Sequence, residues 1–213
     1  MTELYNNYIK IIDHNKCFYG GNQAASDKSI IKKCGCGIVA AADLILYLKG
    51  NGENISPISL LQYNKFLKYL NHHYFPLIPE LGMNSLALTA GINLYFRKKE
   101  MPYKAIWLAS ASKLFYRIEQ QLSDNIPVIM SVGPNFPFIW QKYKLKLYSK
   151  RGNEYYNSSS VKAHYFTATG IDENYIKISS WGREFYINKQ EFKEYVSAHS
   201  SSFLCNMLQI KTR

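Results

Sequence analysis

One stretch constrains this chain more than any other. From Gly37 to Lys49 the sequence is almost wholly apolar: Ile38, Val39, three alanines, then Leu44, Ile45, Leu46 and Leu48. Alanine and leucine favour helix. A helix that is apolar all round has no face to offer water, so it belongs at the centre of a fold, covered on every side. Gly50-Asn51-Gly52 supplies its stop. Directly before it stands Lys33-Cys34-Gly35-Cys36, so a cysteine opens the buried helix.

Around that helix the chain divides into two kinds of sequence. Residues 1 to 33 read as mostly irregular, with a turn at Gly20-Gly21-Asn22-Gln23. Ser56 caps a second helix, with Pro57 in its first turn, that runs to about His73. Further helices are expected over Ser85 to Lys98 and Ser110 to Leu122, the latter with Leu114, Ile118 and Leu122 in one row. Tyr103 to Leu108 reads as a short strand between them. After Asn125 the pattern becomes β-rich. Strands are expected at Ile126 to Val132, Tyr143 to Tyr148, Tyr165 to Thr169, Tyr175 to Ile178 and Glu184 to Ile187. A closing helix over Lys189 to His199 and a last strand over Phe203 to Ile210 complete the reading. Helices first and strands second predict an α+β fold. The helical half covers about 20–125 and the β half about 126–213. No linker separates them, so residues 1–213 read as a single domain.

Charge and cysteine content exclude several classes. The 213 residues hold 26 Lys plus Arg against 15 Asp plus Glu, a net charge of +11. The basic residues are scattered, densest at Lys32-Lys33, Arg97-Lys98-Lys99 and Lys142 to Arg151. No zinc-finger spacing or RNA-binding signature accompanies them, so nucleic acid is not the expected ligand. The basic surface suits an acidic partner or simple solubility. No run is long enough to span a membrane, and the N-terminus lacks a secretory pattern. Cys17, Cys34, Cys36 and Cys205 are too few for a disulfide scaffold, so a reducing cytoplasm is expected.

Cys36 is the better placed of the two central cysteines. The free N–H groups and dipole at a helix start favour a thiolate. Thiolate chemistry needs a base, and His164 opens the strand His164-Tyr165-Phe166-Thr167-Ala168-Thr169-Gly170. Only the fold can bring the two together, the usual pattern for a cysteine nucleophile. Against this stand plainer readings: a small buried cysteine, a hydrogen-bonded histidine, or Cys34 and Cys36 as metal ligands. The last is disfavoured by the tight Cys-Gly-Cys spacing and the lack of a second cysteine pair, so no metal and no cofactor is expected. His72-His73 is expected on an exposed helix end, and His14 and His199 have no suggestive neighbours.

Four segments resemble, in order, the C39-like branch of the papain-like cysteine peptidases, the bacteriocin-processing type. Gly35-Cys36-Gly37-Ile38-Val39-Ala40-Ala41-Ala42 resembles its nucleophile segment, with Ile38 where the family has proline. Ile126 to Val132 resembles the strand before the histidine region. His164 to Gly170 followed by Asp172 to Ile178 resembles the histidine hairpin, and Ser179-Ser180-Trp181-Gly182 the Asn-Ser-Trp-Gly segment of papain relatives. The resemblance runs from about residue 20 to 192. It implies a papain-like fold, with the nucleophile helix packed on an antiparallel sheet, in a bacterial chain.

It also implies roles. Cys36 attacks a carbonyl, His164 takes and returns the proton, and the Cys36 N–H with the Gln23 amide holds the oxyanion. The residue that orients the histidine is Asn or Asp in the family. Here Ser179 takes that place by the Ser-Trp-Gly alignment, and Ser180 by counting from His164. A serine can fix a tautomer but supplies no charge. Asp172 is a nearby acid expected in a turn, and Trp181 either shields the histidine or fills the core. The expected function is a thiol hydrolase (peptidase, isopeptidase or amidase) acting on a peptide or amide, with an acidic substrate as one option. A thiol acyltransferase on the same site and a non-catalytic binding module are the alternatives. The oligomeric state is unreadable.

Overall fold

The computed structural model describes residues 1–50, 57–80, 82–108, 110, 113–133 and 143–213. The helices are α1 (Ser29–Cys34), α2 (Cys36–Lys49), α3 (Leu60–His73), α4 (Ser85–Lys98), α5 (Leu114–Ser123) and α6 (Lys189–His199). The strands are β1 (Thr2–Glu3), β2 (Lys10–Asp13), β3 (Lys16–Tyr19), β4 (Ile58–Ser59), β5 (Tyr103–Trp107), β6 (Val128–Val132), β7 (Leu145–Arg151), β8 (Glu154–Val161), β9 (His164–Ile171), β10 (Tyr175–Ser180), β11 (Arg183–Asn188) and β12 (Leu208–Thr212). The fold is α+β.

The central helix α2 behaves as its composition demands. Every residue from Gly37 to Ile45 is buried, as are Tyr47 and Leu48. Gly50 ends it, its N–H donating back to the Leu46 and Tyr47 carbonyls. Asn51, Gly52 and Ser56 lie outside the described residues. The next helix starts later than the Ser56-Pro57 pair suggests. Ser59 is its cap, accepting from the Gln62 N–H while Gln62 reaches back to the Ser59 N–H, a capping box.

The sheet carries the second half. Its strand order is β1-β9-β10-β11-β7-β8, with β6 also pairing β9, and every pairing is antiparallel. Two small sheets, β5-β12 and β3-β2-β4, flank it. Two apolar clusters form. One gathers α2, α3 and α4 with Ile129, Leu208 and Ile210. The other gathers the sheet interior with Leu114, Ile118 and Leu122 of α5 and Phe192 and Tyr195 of α6. The face of α2 meets β9 and β6 between them.

The structure differs from the sequence expectation elsewhere too: α5 begins at Leu114 rather than Ser110. Residues 1 to 33 are not irregular: β1 joins the main sheet, β2 and β3 form a hairpin, and α1 runs directly into Gly35. These strands are short, and β1 and one side of β2 pair with distant partners, β9 and β4, so local pattern announces them weakly. The strand β8 covers the polar run Asn157 to Ser160, which pairs with β7 while keeping a largely solvated face. The last strand begins at Leu208 rather than Phe203, paired with β5. Among the described residues, no helix is long and apolar enough to cross a membrane.

Candidate functional site

The site starts from Gly35. It is the hinge where α1 ends and α2 begins, at φ −88° and ψ 11°. A Cβ there would sit 2.4 Å from the Ile31 carbonyl oxygen, so only glycine lets the two helices meet this closely. Cys36 is therefore the first residue of α2, with Cys34 one step back at the end of α1. Gly37 packs under the Tyr165 ring and the Met83 methyl, where a Cβ would stand 3.3 Å from each. That close approach presses the start of α2 against the start of β9.

His164 opens β9, opposite Val132 of β6. Its imidazole Nε2 lies 2.8 Å from Ser180 Oγ at the end of β10. The Trp181 ring lies beside it, centroids 4.8 Å apart at 32°, and packs edge-on against Phe185. Trp181 and Gly182 both have left-handed backbones, φ 51° and 73°. They form the two-residue turn between β10 and β11, the type whose twist matches a hairpin. A tryptophan in that region costs about 1 kcal/mol or more, offset by its packing on His164 and Phe185.

The two candidate serines do different things. Ser180 meets the imidazole. Ser179 Oγ instead donates to the Tyr19 carbonyl at 2.8 Å, tying β10 to the loop before Gln23. Gln23 starts a short 3-10 turn capped by Asn22, and its Nε2 donates to the Lys32 carbonyl at 3.2 Å. Gln23, Cys36, His164, Ser179, Ser180 and Trp181 all line one small cavity, of about 10 Å³. That is room for about one water molecule. His164 and Tyr165 also face a neighbouring groove of about 540 Å³, walled by Ile78, Met83, Leu86, Val132 and Phe203 among others. None of the described residues lining it is Lys, Arg, Asp or Glu.

Electrostatics here departs from the sequence expectation. Burial pushes the Cys36 thiol up, and the backbone N–H groups of Tyr165, Gly37 and Cys36 pull it back only in part. Burial also pushes His164 down, to about 4. The helix start does supply N–H groups, but removing the thiol from water outweighs them. Burial therefore disfavours both charged forms, the Cys36 thiolate and the His164 imidazolium.

The remaining candidates fall elsewhere. Asp172 Oδ1 accepts from the Asn174 and Tyr175 N–H groups in the β9–β10 turn, at the opposite end of β9 from His164. His73 Nδ1 meets the Tyr69 carbonyl at the exposed end of α3. Cys205 is buried, its thiol donating to Ser200 Oγ. Among the described residues, no three His, Cys, Asp or Glu side chains come together as a metal site. One residue of the cavity was not anticipated: Asp43, buried on α2. Its signal in the sequence is a single carboxylate in an otherwise apolar helix.

No protein-family model matches the chain, and no curated protein matches it. Among solved structures it is similar to the peptidase domain of Streptococcus ComA, a bifunctional ABC transporter involved in a quorum-sensing pathway. The TM-score is 0.42 at 14% identity, covering 85% of this chain and 93% of that one. That likeness is too distant to carry function or residue roles. On its own geometry, the chain has an α+β fold in which a cysteine opens a buried helix that packs on an antiparallel sheet bearing a histidine.

Proposed function

We propose that this chain is a thiol hydrolase of peptide or amide bonds, with Cys36 as nucleophile and His164 as its base. The observation that carries the reading is the shared cavity: Cys36 and His164 line it together, and Ser180 braces the imidazole from behind. With Nε2–H donating to Ser180 Oγ, Nδ1 is left unprotonated and able to accept.

Because burial disfavours both charged forms, proton transfer accompanies attack rather than preceding it. As the Cys36 sulfur bonds to the carbonyl carbon, His164 takes the thiol proton. The oxyanion that forms is held by the Cys36 N–H and the Gln23 amide. The C–N bond then breaks, the leaving amine takes the proton from His164, and a thioester remains on Cys36. Water, deprotonated by His164, completes hydrolysis. An amine in place of water makes the same site an acyltransferase.

The apolar groove beside His164 supports a substrate with an apolar side chain next to the scissile bond. Its lining offers no cation, so an acidic substrate draws no support from it. All four cysteines are free, which suits a reducing compartment such as the cytoplasm. We take residues 1–213 as one functional unit, since both halves contribute to the site.

A second reading, a non-catalytic binding module, is favoured by the neutral third member and the small cavity. Incubation with p-nitrophenyl acetate and peptide mass spectrometry separates the two. The hydrolase reading expects an acetyl thioester on Cys36 that turns over and is absent in Cys36→Ala. Acetylation confined to Cys17 or Cys34, or none, supports the binding module.

A further inference from the structure

The cavity contains one strongly polar group that the proposed reaction does not use. Asp43 lies on α2, on the wall shared with Cys36, and is only 2% exposed. Its carboxylate accepts three hydrogen bonds: from Tyr63 Oη at 2.6 Å, from the Gly21 N–H at 2.9 Å and from Tyr8 Oη at 3.1 Å. A buried carboxylate is expensive unless it is fully bonded, so a central apolar helix has no packing reason to carry one.

What the carboxylate grips is the loop that delivers Gln23. The Gly21 carbonyl accepts from the Gly182 N–H at 2.9 Å, and the Gly182 carbonyl accepts from the Tyr19 N–H at 2.9 Å. The Gly20 N–H donates to the Ile9 carbonyl at 2.8 Å, and Ser179 holds the Tyr19 carbonyl. There is no slack in this seat. A Cβ on Gly20 would stand 2.7 Å from Asp43 Oδ2 and 2.2 Å from Ser179 Oγ, and one on Gly21 would stand 2.0 Å from Tyr63 Oη. The loop is thus held to the hairpin that carries Ser180 and Trp181, and hydrogen-bonded to α2 through the Asp43 carboxylate.

We propose that Asp43 is a positioning residue: by holding the Gly21 N–H it sets where the Gln23 amide stands relative to Cys36. This rests on the reading of Cys36 as nucleophile and Gln23 as oxyanion donor. Protonation turns one carboxyl oxygen into a donor and leaves fewer acceptors for the three incoming groups. Burial raises the Asp43 carboxyl to about 6 against the pull of those hydrogen bonds. The titratable groups around it are Tyr63 from α3, Tyr8 from the N-terminal segment, Cys36 on the same wall of the cavity and His164 from β9. The tyrosines stay neutral in this range because burial and Asp43 itself push them upward. His164, at about 4, titrates lower.

The test compares two reactions of Cys36 in the full chain. Acylation by p-nitrophenyl acetate forms an oxyanion, whereas alkylation by iodoacetamide does not. In Gln23→Ala the ratio of acylation to alkylation falls about 100-fold, the cost of one oxyanion donor. In Asp43→Asn, which keeps the volume, it falls about tenfold, the effect of a donor displaced rather than removed. The double variant falls no further than Gln23→Ala alone. The wild-type ratio steps down on acidification through about pH 6, and Asp43→Asn lacks the step. Equal slowing of both reactions in Asp43→Asn, or effects that multiply in the double variant, overturns the proposal.

Amide hydrogen exchange tests the grip itself, whatever Cys36 does. Asp43→Asn should speed exchange at Gly20 to Gln23 while Leu44 to Leu48 stay protected. Unchanged exchange at the loop overturns the proposal as well. Failure of the nucleophile reading shows separately, as acylation undiminished in Cys36→Ala. Tyr63→Phe, which removes one hydroxyl and leaves the carboxylate, gives a milder change of the same sign.

Discussion

Ser180→Ala is the substitution that most sharply probes how this site compensates for lacking an acidic third member. The wild-type contact is a single hydrogen bond of 2.8 Å between two neutral groups. A neutral bond of this kind contributes about 1 kcal/mol net, which corresponds to about a fivefold change in rate. Trp181 remains on the imidazole at 4.8 Å, so the ring keeps a second constraint after the hydroxyl is gone. Ser180→Ala should therefore lower the Cys36 acylation rate about fivefold, far less than removal of the base. Ser180→Asp works in the opposite direction. A carboxylate in hydrogen-bond contact favours the imidazolium and raises the His164 pKa from about 4 by about 1–3 units. The assays are stopped-flow acylation by p-nitrophenyl acetate and an NMR titration of the His164 ring. A Ser180→Ala rate equal to wild type, or as low as that of His164→Ala, would refute the reasoning. So would a His164 titration that Ser180→Asp leaves in place.

Three further outcomes follow from the same structure. Asp43, raised to about 6, adds stability below about pH 4 that is lost as pH rises through 6. His164, lowered to about 4, adds stability above about pH 6.5 that is lost as pH falls through 4. Each is worth about 3 kcal/mol and they oppose one another, so urea unfolding should show Asp43→Asn losing stability on acidification from pH 6.5 to 4 and His164→Gln gaining it. Cys36, with its thiol pushed up by burial, should react with iodoacetamide more slowly than the exposed Cys17 and speed up as pH rises, as read by peptide mass spectrometry across pH. Ile45→Ala, at a fully buried position of α2, should cost about 2–5 kcal/mol by urea titration.

The parts of the fold that were legible are those whose signal is local. The apolar run after Cys36, the spans of α4 and α6, the apolar row of α5, and the hairpins of β9, β10 and β11 follow from composition, periodicity and turn residues within each segment. The N-terminal strands were not legible: β1 depends on a partner at Ile171, and the short β2–β3 hairpin gains a second partner at Ile58. The polar β8 was missed because only pairing with β7 makes it a strand. At the site, residue type and position singled out Cys36 and His164, and the family resemblance added Gln23, but sequence could not decide between Ser179 and Ser180. Adjacent residues on a strand face opposite ways, and the register of β10 against β9 settles which hydroxyl meets the imidazole. The upward push on the Cys36 thiol was hidden for a related reason: helix-start N–H groups are visible in sequence, whereas the burial that outweighs them belongs to the packing of β9 on α2.

The central claim is that His164 is the base for Cys36. The most direct measurement is the single-turnover rate of Cys36 acylation by p-nitrophenyl acetate at pH 7 in wild type and His164→Ala, with the modified cysteine identified by mass spectrometry. The account predicts acylation at Cys36 that slows by about 100-fold or more in the variant. Equal rates in the two proteins, or acylation falling on another cysteine, would contradict it.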